Sequence, residues 1–142
     1  MTTAHDVLRF KGRAVHSVRP TDTVLSALGL MAEHDIGAVL VLDGDDLVGI
    51  LTERDYARKV VLVGRSSKDS PVSAIMTQEL IWVAPQRSVD ECMALMTDRR
   101  VRHLPVMEGR RVVGLISIGD LVKATIDEQA FTIRELKNYI AG

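Results

Sequence analysis

One cysteine in 142 residues, Cys92, has no partner within the chain. An intrachain disulfide framework and a cysteine-rich zinc site are both excluded, and a reducing compartment, the cytoplasm, is the natural setting. Aromatic residues are scarce, at 4% against 46% hydrophobic residues in all, so the core must be built from Val, Leu, Ile, Ala and Met. That apolar share is too high for intrinsic disorder. No run approaches the roughly 18 apolar residues of a membrane-crossing helix. The start, MTTAHDVLRFKG, lacks the charged and then apolar order of a signal peptide, so no membrane association is expected. A net charge of −1 with basic residues interleaved among acids gives no field for nucleic acid. His5, His16, His34 and His103 are scattered without metal-ligand spacing. No Ser/His/Asp or Cys/His constellation and no full phosphate-binding glycine loop is present, so neither metal nor catalysis is expected.

What the chain does have is a copy of itself. A shift of 65 positions places Val18 on Val83, Pro20 on Pro85, Val24 on Val89, Met31 on Met96, Val41 on Val106, Gly44 on Gly109, Gly49 on Gly114 and Asp55 on Asp120, without a gap. The repeat covers roughly residues 15 to 60 and 80 to 125. Each copy opens with a short apolar strand, AVHSV or LIWVA, that ends at a proline. The period then changes: Val24, Leu28 and Met31, like Val89, Met93 and Met96, fall on one helical face, and Ser88 with Glu91 forms a capping box. Two strands follow in each copy, AVLVLD and LVGILT or LPVME and VVGLIS, joined by turns at DGDD and EGRR. A second helix is expected at or just after each Asp. Each unit therefore reads strand, helix, strand, strand, helix, an α/β fold. VGRSSKDSP is a linker by composition, and VSAIMT after it resembles the lead-in AHDVL before the first copy, three positions off the repeat spacing. The expected boundaries are 1–66 for the first unit with its lead-in, 67–78 for linker and second lead-in, and 79–142 for the second unit with a C-terminal helix.

The skeleton of Gly, two aliphatics, a hydroxyl residue, two variable positions and Asp occurs as GILTERD and GLISIGD. A carboxylate at a strand-to-helix junction can grip two vicinal ribose hydroxyls, which makes Asp55 and Asp120 ribose candidates. The hydroxyls of Thr52 and Ser117, with unpaired amides at a helix start, suit a phosphate. The alternative is that both Asp residues simply cap helices.

The paired units, with LVGILTERD, VVGLISIGD, RVRHLPV and the IMT lead-in, resemble a tandem of cystathionine-β-synthase domains, the regulatory pair called a Bateman module, over nearly the whole chain. The resemblance implies two pseudosymmetric units packed sheet to sheet, with clefts that hold adenosyl ligands: AMP or NAD foremost, then ATP, ADP or S-adenosylmethionine. Carried over by position, one site combines Ser117 and Asp120 with Arg102 and His103, and with an adenine wall of Ile36, Gly37 and Ala38. The other uses Thr52 and Asp55 with a wall from Val101 to His103. Where one copy has Arg102 and His103 the other has Gly37 and Ala38, so the two sites cannot be equally basic. Arg54, Arg58 and Lys59 add charge near the first motif or form a solvated helix face; His103 is a phosphate contact or a hydrogen-bonded strand histidine.

The family also implies a homodimer and a separate regulated protein that reads energy or redox state through the module. A ligand-independent scaffold that keeps the fold for assembly is the competing reading. In FTIRELKNYIAG, Thr132 and Glu135 fit a capping box and Phe131 with Leu136 a hydrophobic staple, so a short terminal helix is expected to start there, with Ile133, Leu136 and Ile140 as its apolar stripe.

Overall fold

The computed structural model describes residues 2–12 and 14–141. The elements are α1 (Ala4–Lys11), β1 (Ser17–Val18), α2 (Val24–His34), β2 (Ala38–Asp43), β3 (Asp46–Thr52), α3 (Glu53–Tyr56), α4 (Val89–Arg99), β4 (His103–Glu108), β5 (Arg111–Ser117) and α5 (Ile118–Ala141). A π-helical turn, Ala57–Val61, continues α3, and a 3-10 turn spans Val72–Ala74. They form two compact units, Ala14–Ile81 on one hand and Met1–Arg13 with Trp82–Gly142 on the other. Among the described residues no helix is long and apolar enough to cross a membrane.

In the Ala14–Ile81 unit, β1 runs parallel to β2 and β2 antiparallel to β3. The hairpin closes at Asp43 opposite Asp46, and Gly44 takes φ 64°, a left-handed value that a Cβ disfavours. Helix α2 starts where Thr23 Oγ1 accepts from the Ser26 amide, and buries Val24, Ala27 and Met31. These pack with Val39, Val41, Leu51, Val60, Val72 and Ile75 in one core. The helix ends at Asp35, itself left-handed at φ 51°. The Ile36 amide then donates to the Met31 carbonyl at 3.0 Å and turns the chain into Gly37 and β2.

The other unit repeats this plan with differences. Ser88 and Glu91 form the expected capping box of α4, and the helix ends at Arg100, φ 55°, with the Val101 amide on the Met96 carbonyl. Strands β4 and β5 pair antiparallel around Gly109 at φ 64°. The strand expected at LIWVA shrinks to a single parallel bridge, Val83 with Val106. The reason lies in one substitution. In the first copy the Leu40 amide donates to the His16 carbonyl at 3.1 Å; the position equivalent to Leu40 is Pro105, which has no N–H to give.

The lead-ins depart from the expected boundaries. Helix α1 precedes the first copy but packs on β5 and α5 of the second, burying Ala4, Val7 and Leu8. The lead-in VSAIMT stays with the first copy, where Val72 and Ile75 enter its core. Equivalent bridges mark the two docks: Thr3 with Ser88, and Pro71 with Thr23. The repeated Gly of the skeleton faces these lead-ins. A Cβ on Gly49 would lie 2.6 Å from Met76 Sδ, and one on Gly114 2.5 Å from Leu8 Cδ2.

The terminal helix also differs from expectation. No cap interrupts α5, which is continuous from Ile118 to Ala141. Thr132 is an interior residue whose Oγ1 donates to the Glu128 carbonyl at 3.0 Å, as Thr125 does to Leu121. Nothing between Leu121 and Ala141 is Gly or Pro, so no residue breaks the helix where a cap was expected.

Candidate functional site

Both helices after the skeleton begin two residues earlier than expected, at Glu53 and Ile118, with the hydroxyl residue as N-cap. Thr52 Oγ1 accepts from the Asp55 amide at 3.1 Å, and Asp55 Oδ2 accepts from the Thr52 amide at 3.0 Å. Ser117 and Asp120 make the same reciprocal pair at 3.2 and 2.8 Å. The Asp residues are thus partners in capping boxes, not N-caps themselves. Most of the amides expected to await a phosphate are used. Glu53 donates to the Gly37 carbonyl and Ile118 to the Arg102 carbonyl, besides the two Asp amides.

Beyond this shared frame the two motifs diverge. Asp55 is 7% exposed, and both its oxygens are engaged. Oδ2 also accepts from Thr52 Oγ1 at 3.2 Å, while Oδ1 accepts from Thr77 Oγ1 and pairs with Lys59 Nζ, each at 3.0 Å. Lys59 in turn donates to the Ile75 carbonyl, so its charge serves the fold. Arg54 and Arg58 are exposed. Ala38 lies opposite Thr52 in the sheet and is buried, with Ile36 half-buried beside it.

Asp120 keeps a 23% exposed side chain. Its Oδ2 receives Lys11 Nζ at 2.6 Å as well as the Ser117 amide, and Lys11 also donates to the Leu115 carbonyl at 2.7 Å. Asp120 Oδ1 has no hydrogen bond among the described residues. Burial pushes the Asp120 carboxyl up, but hydrogen bonds from Lys11 and Ser117 together with the Lys11 charge hold it below the usual carboxylate value. His103 sits opposite Ser117 on β4. Burial, then the Lys11 charge, push its pKa below 6.5; Arg102 adds to this and Asp120 opposes it. The imidazole is therefore neutral at pH 7 and can accept as well as donate. Arg102 is exposed and Val101 half-buried.

Within each unit the fold thus brings Ser117, Asp120, Arg102 and His103 together, and Thr52 and Asp55 with Ile36–Ala38. Lys11 and Thr77 were missed in the sequence. Each comes from a lead-in, and the three-position offset of those lead-ins puts no equivalent residue at either place. A hollow of about 730 Å³, lined among others by Arg19, Asp22, Asp43 and Asp45, lies at the opposite end of the β2–β3 hairpin from Thr52 and includes no motif residue. No cluster of three or more His, Cys, Asp or Glu side chains fit to hold a metal occurs among the described residues.

A family model described as the CBS domain matches residues 3–62 and 72–127. The mitochondrial CBS domain-containing protein CBSX3 of Arabidopsis thaliana is 41% identical, with 99% of this chain and 73% of that protein covered. A solved protein with CBS domains from Burkholderia ambifaria MC40-6 is 56% identical at a TM-score of 0.87, covering 90% of this chain and 96% of that one. The CBS domain pair of protein MJ0100, solved with 5′-methylthioadenosine and S-adenosyl-L-methionine, shares the fold at 23% identity and a TM-score of 0.78, covering 90% and 98%.

Proposed function

This chain belongs to the CBS domain family, as a tandem pair, and from that premise we propose that it is a regulatory module that binds an adenosyl ligand at the Asp120 motif. The observation that carries the reading is the inequality of the two carboxylates. Asp55 has no oxygen left for a ligand, whereas Asp120 keeps Oδ1 without a hydrogen bond among the described residues, in the motif that also holds Lys11, Ser117 and His103. That oxygen suits a ribose hydroxyl; Lys11 and Arg102 suit a phosphate, Arg102 through its planar fork. AMP and NAD fit this set best, followed by ATP and ADP. S-adenosylmethionine carries no phosphate, but with 5′-methylthioadenosine it occupies the MJ0100 pair of the same fold. The module would act by binding rather than catalysis, on a separate regulated protein, in the cytoplasm.

Mass spectrometry of small molecules released from purified protein names the ligand, and calorimetric titration then tests the site. Hydrogen bonds to a charged group are worth about 1.5–3 kcal/mol, so Asp120→Ala is expected to weaken binding roughly ten- to a hundredfold. Asp55→Ala is expected to leave affinity nearly unchanged and instead to lower stability by about 1–3 kcal/mol, because it strands buried donors. Equal small losses of affinity in both variants would make the repeated skeleton architecture alone. No binding by ligand-free protein across the adenosyl panel would favour the scaffold reading, for which the exposed apolar side chains of α5 speak.

A further inference from the structure

Among the ionisable side chains of the Asp120 motif, His103 is the one whose charge its neighbours decide near neutral pH. It opens β4 opposite Ser117 on β5 and is half-buried. Its ring makes no hydrogen bond among the described residues, so none of them holds it as a hydrogen-bonded strand histidine. Nor is any unpaired side-chain nitrogen of these residues sealed from solvent, which leaves the ring open to a ligand. The charges that act on it are Lys11 from α1, Asp120 from α5 and Arg102 at the entry to β4. Two cations thus outweigh one carboxylate, and that carboxylate is already bound to Lys11 at 2.6 Å. With burial added, a further positive charge is disfavoured and the imidazole stays neutral at pH 7. The first copy has Ala38 at the equivalent place and Gly37 at that of Arg102, neither of which titrates.

We propose that His103 takes up a proton from solvent when a phosphorylated adenosyl ligand occupies this motif, so that such ligands bind more tightly as pH falls and neutral or cationic ones do not. The inference rests on the reading of Asp120 as the ligand site. A phosphate seated at Lys11 and Arg102 offsets the very charges that act on the ring, and its own negative charge reverses the balance there. A neighbouring anion favours the imidazolium, which can donate from either nitrogen to phosphate oxygens. Arginine at this position would be charged at every pH, whereas histidine adds its charge only once an anion has arrived. Linkage fixes the direction. The proton is gained between the free and the bound midpoint, so affinity climbs as pH falls through the bound midpoint and levels off below the free one, which lies under 6.5. S-adenosylmethionine, cationic and without phosphate, loses affinity over the same range as the ring becomes charged.

NAD serves as the probe because its pyrophosphate keeps a fixed charge across this range, with adenosine as the phosphate-free counterpart. Calorimetric titration of the full chain in two buffers of unlike ionisation enthalpy is expected to show uptake of about half a proton per NAD near pH ~6.5, and none with adenosine. NAD affinity is expected to rise roughly tenfold between about pH 8 and about pH 5.5. His103→Gln is expected to match the wild type at the higher pH, to lack the rise and to take up no proton. His103→Lys, charged at both pH values, is expected to bind NAD tightly at both. Equal losses at the two pH values in His103→Gln would make the histidine structural and overturn the proposal. NAD binding without proton uptake overturns it too, as does uptake that survives His103→Gln, or adenosine binding where NAD does not. Failure of both NAD and adenosine to bind ligand-free protein overturns the reading of the site and this inference together.

Discussion

Lys11 ties three features of the Asp120 motif together. It holds the carboxylate, it tethers α1 to β5 through the Leu115 carbonyl, and its charge helps keep His103 neutral. In Lys11→Met the His103 midpoint is expected to rise from its depressed value toward 6.5, read by NMR titration of the imidazole. A wild-type midpoint at or above 6.5 would contradict the structure. The stability effect follows from linkage. Asp120 has a folded pKa below 3.8, so its contribution is complete above 3.8 and is lost as pH falls through the folded value. Lys11→Met forfeits part of that contribution at neutral pH, and the gap between variant and wild type should close in strong acid. With Lys11 35% exposed, solvent screening keeps the gap to about 1 kcal/mol or less in urea titrations. His103 works in the same direction: its folded pKa is lowered, so stability falls as pH drops below 6.5 and levels once the folded imidazole is protonated. The sequence marks Asp120 and Ser117 through the repeat, and His103 through the family resemblance, at a position where the two copies differ. It cannot mark Lys11, because no periodicity links a helix before the first copy to a carboxylate at the end of the second.

The glycine of the repeated skeleton shows how a motif that looks chemical can be set by packing between elements. Gly114 lets β5 approach α1 so closely that a methyl group would touch three carbons of Leu8. Gly114→Ala is expected to cost about 1–3 kcal/mol by overpacking, and Leu8→Ala about 2–5 kcal/mol by leaving a cavity. The added methyl would sit in the space that Leu8 vacates, so the double variant should be more stable than the two losses added together. Strict additivity in guanidinium melts would mean that the contact is not made. At this scale the sequence was most legible where periodicity and turn residues agreed: the hairpins around Gly44 and Gly109 and the faces of α2 and α4 fall where the pattern placed them. It was least legible where a single residue overrode a pattern. Pro105 removes the rung that would make LIWVA a strand, and Thr132, a good cap by type, is absorbed into α5 because the chain before it has no breaker.

For the whole molecule, the exchange of lead-ins changes what a unit is. Read along the chain, each lead-in belongs to the copy that follows it, and the family match from residue 3 to 62 keeps that order. Packing divides the chain otherwise: α1 completes the second copy, whereas VSAIMT completes the first. The second copy therefore depends on residues from the far end of the sequence, and neither copy's bounds can be read from the repeat alone. Contacts closed over so many residues add little stability cost through loop entropy, which grows only logarithmically with length. Deleting residues 2–12 removes the buried side chains of Ala4, Val7 and Leu8 and the Lys11 clasp on Asp120. At about 1.5–3 kcal/mol for each of the larger side chains, that is a substantial part of the stability of a unit this small. Hydrogen exchange read by mass spectrometry should show lost protection in β5, in α4 and in the first turns of α5, with residues 14–81 nearly as protected as before. If α1 served the copy that follows it in sequence, the loss would fall on α2, β2 and β3 instead, and the assignment of units by packing would be wrong.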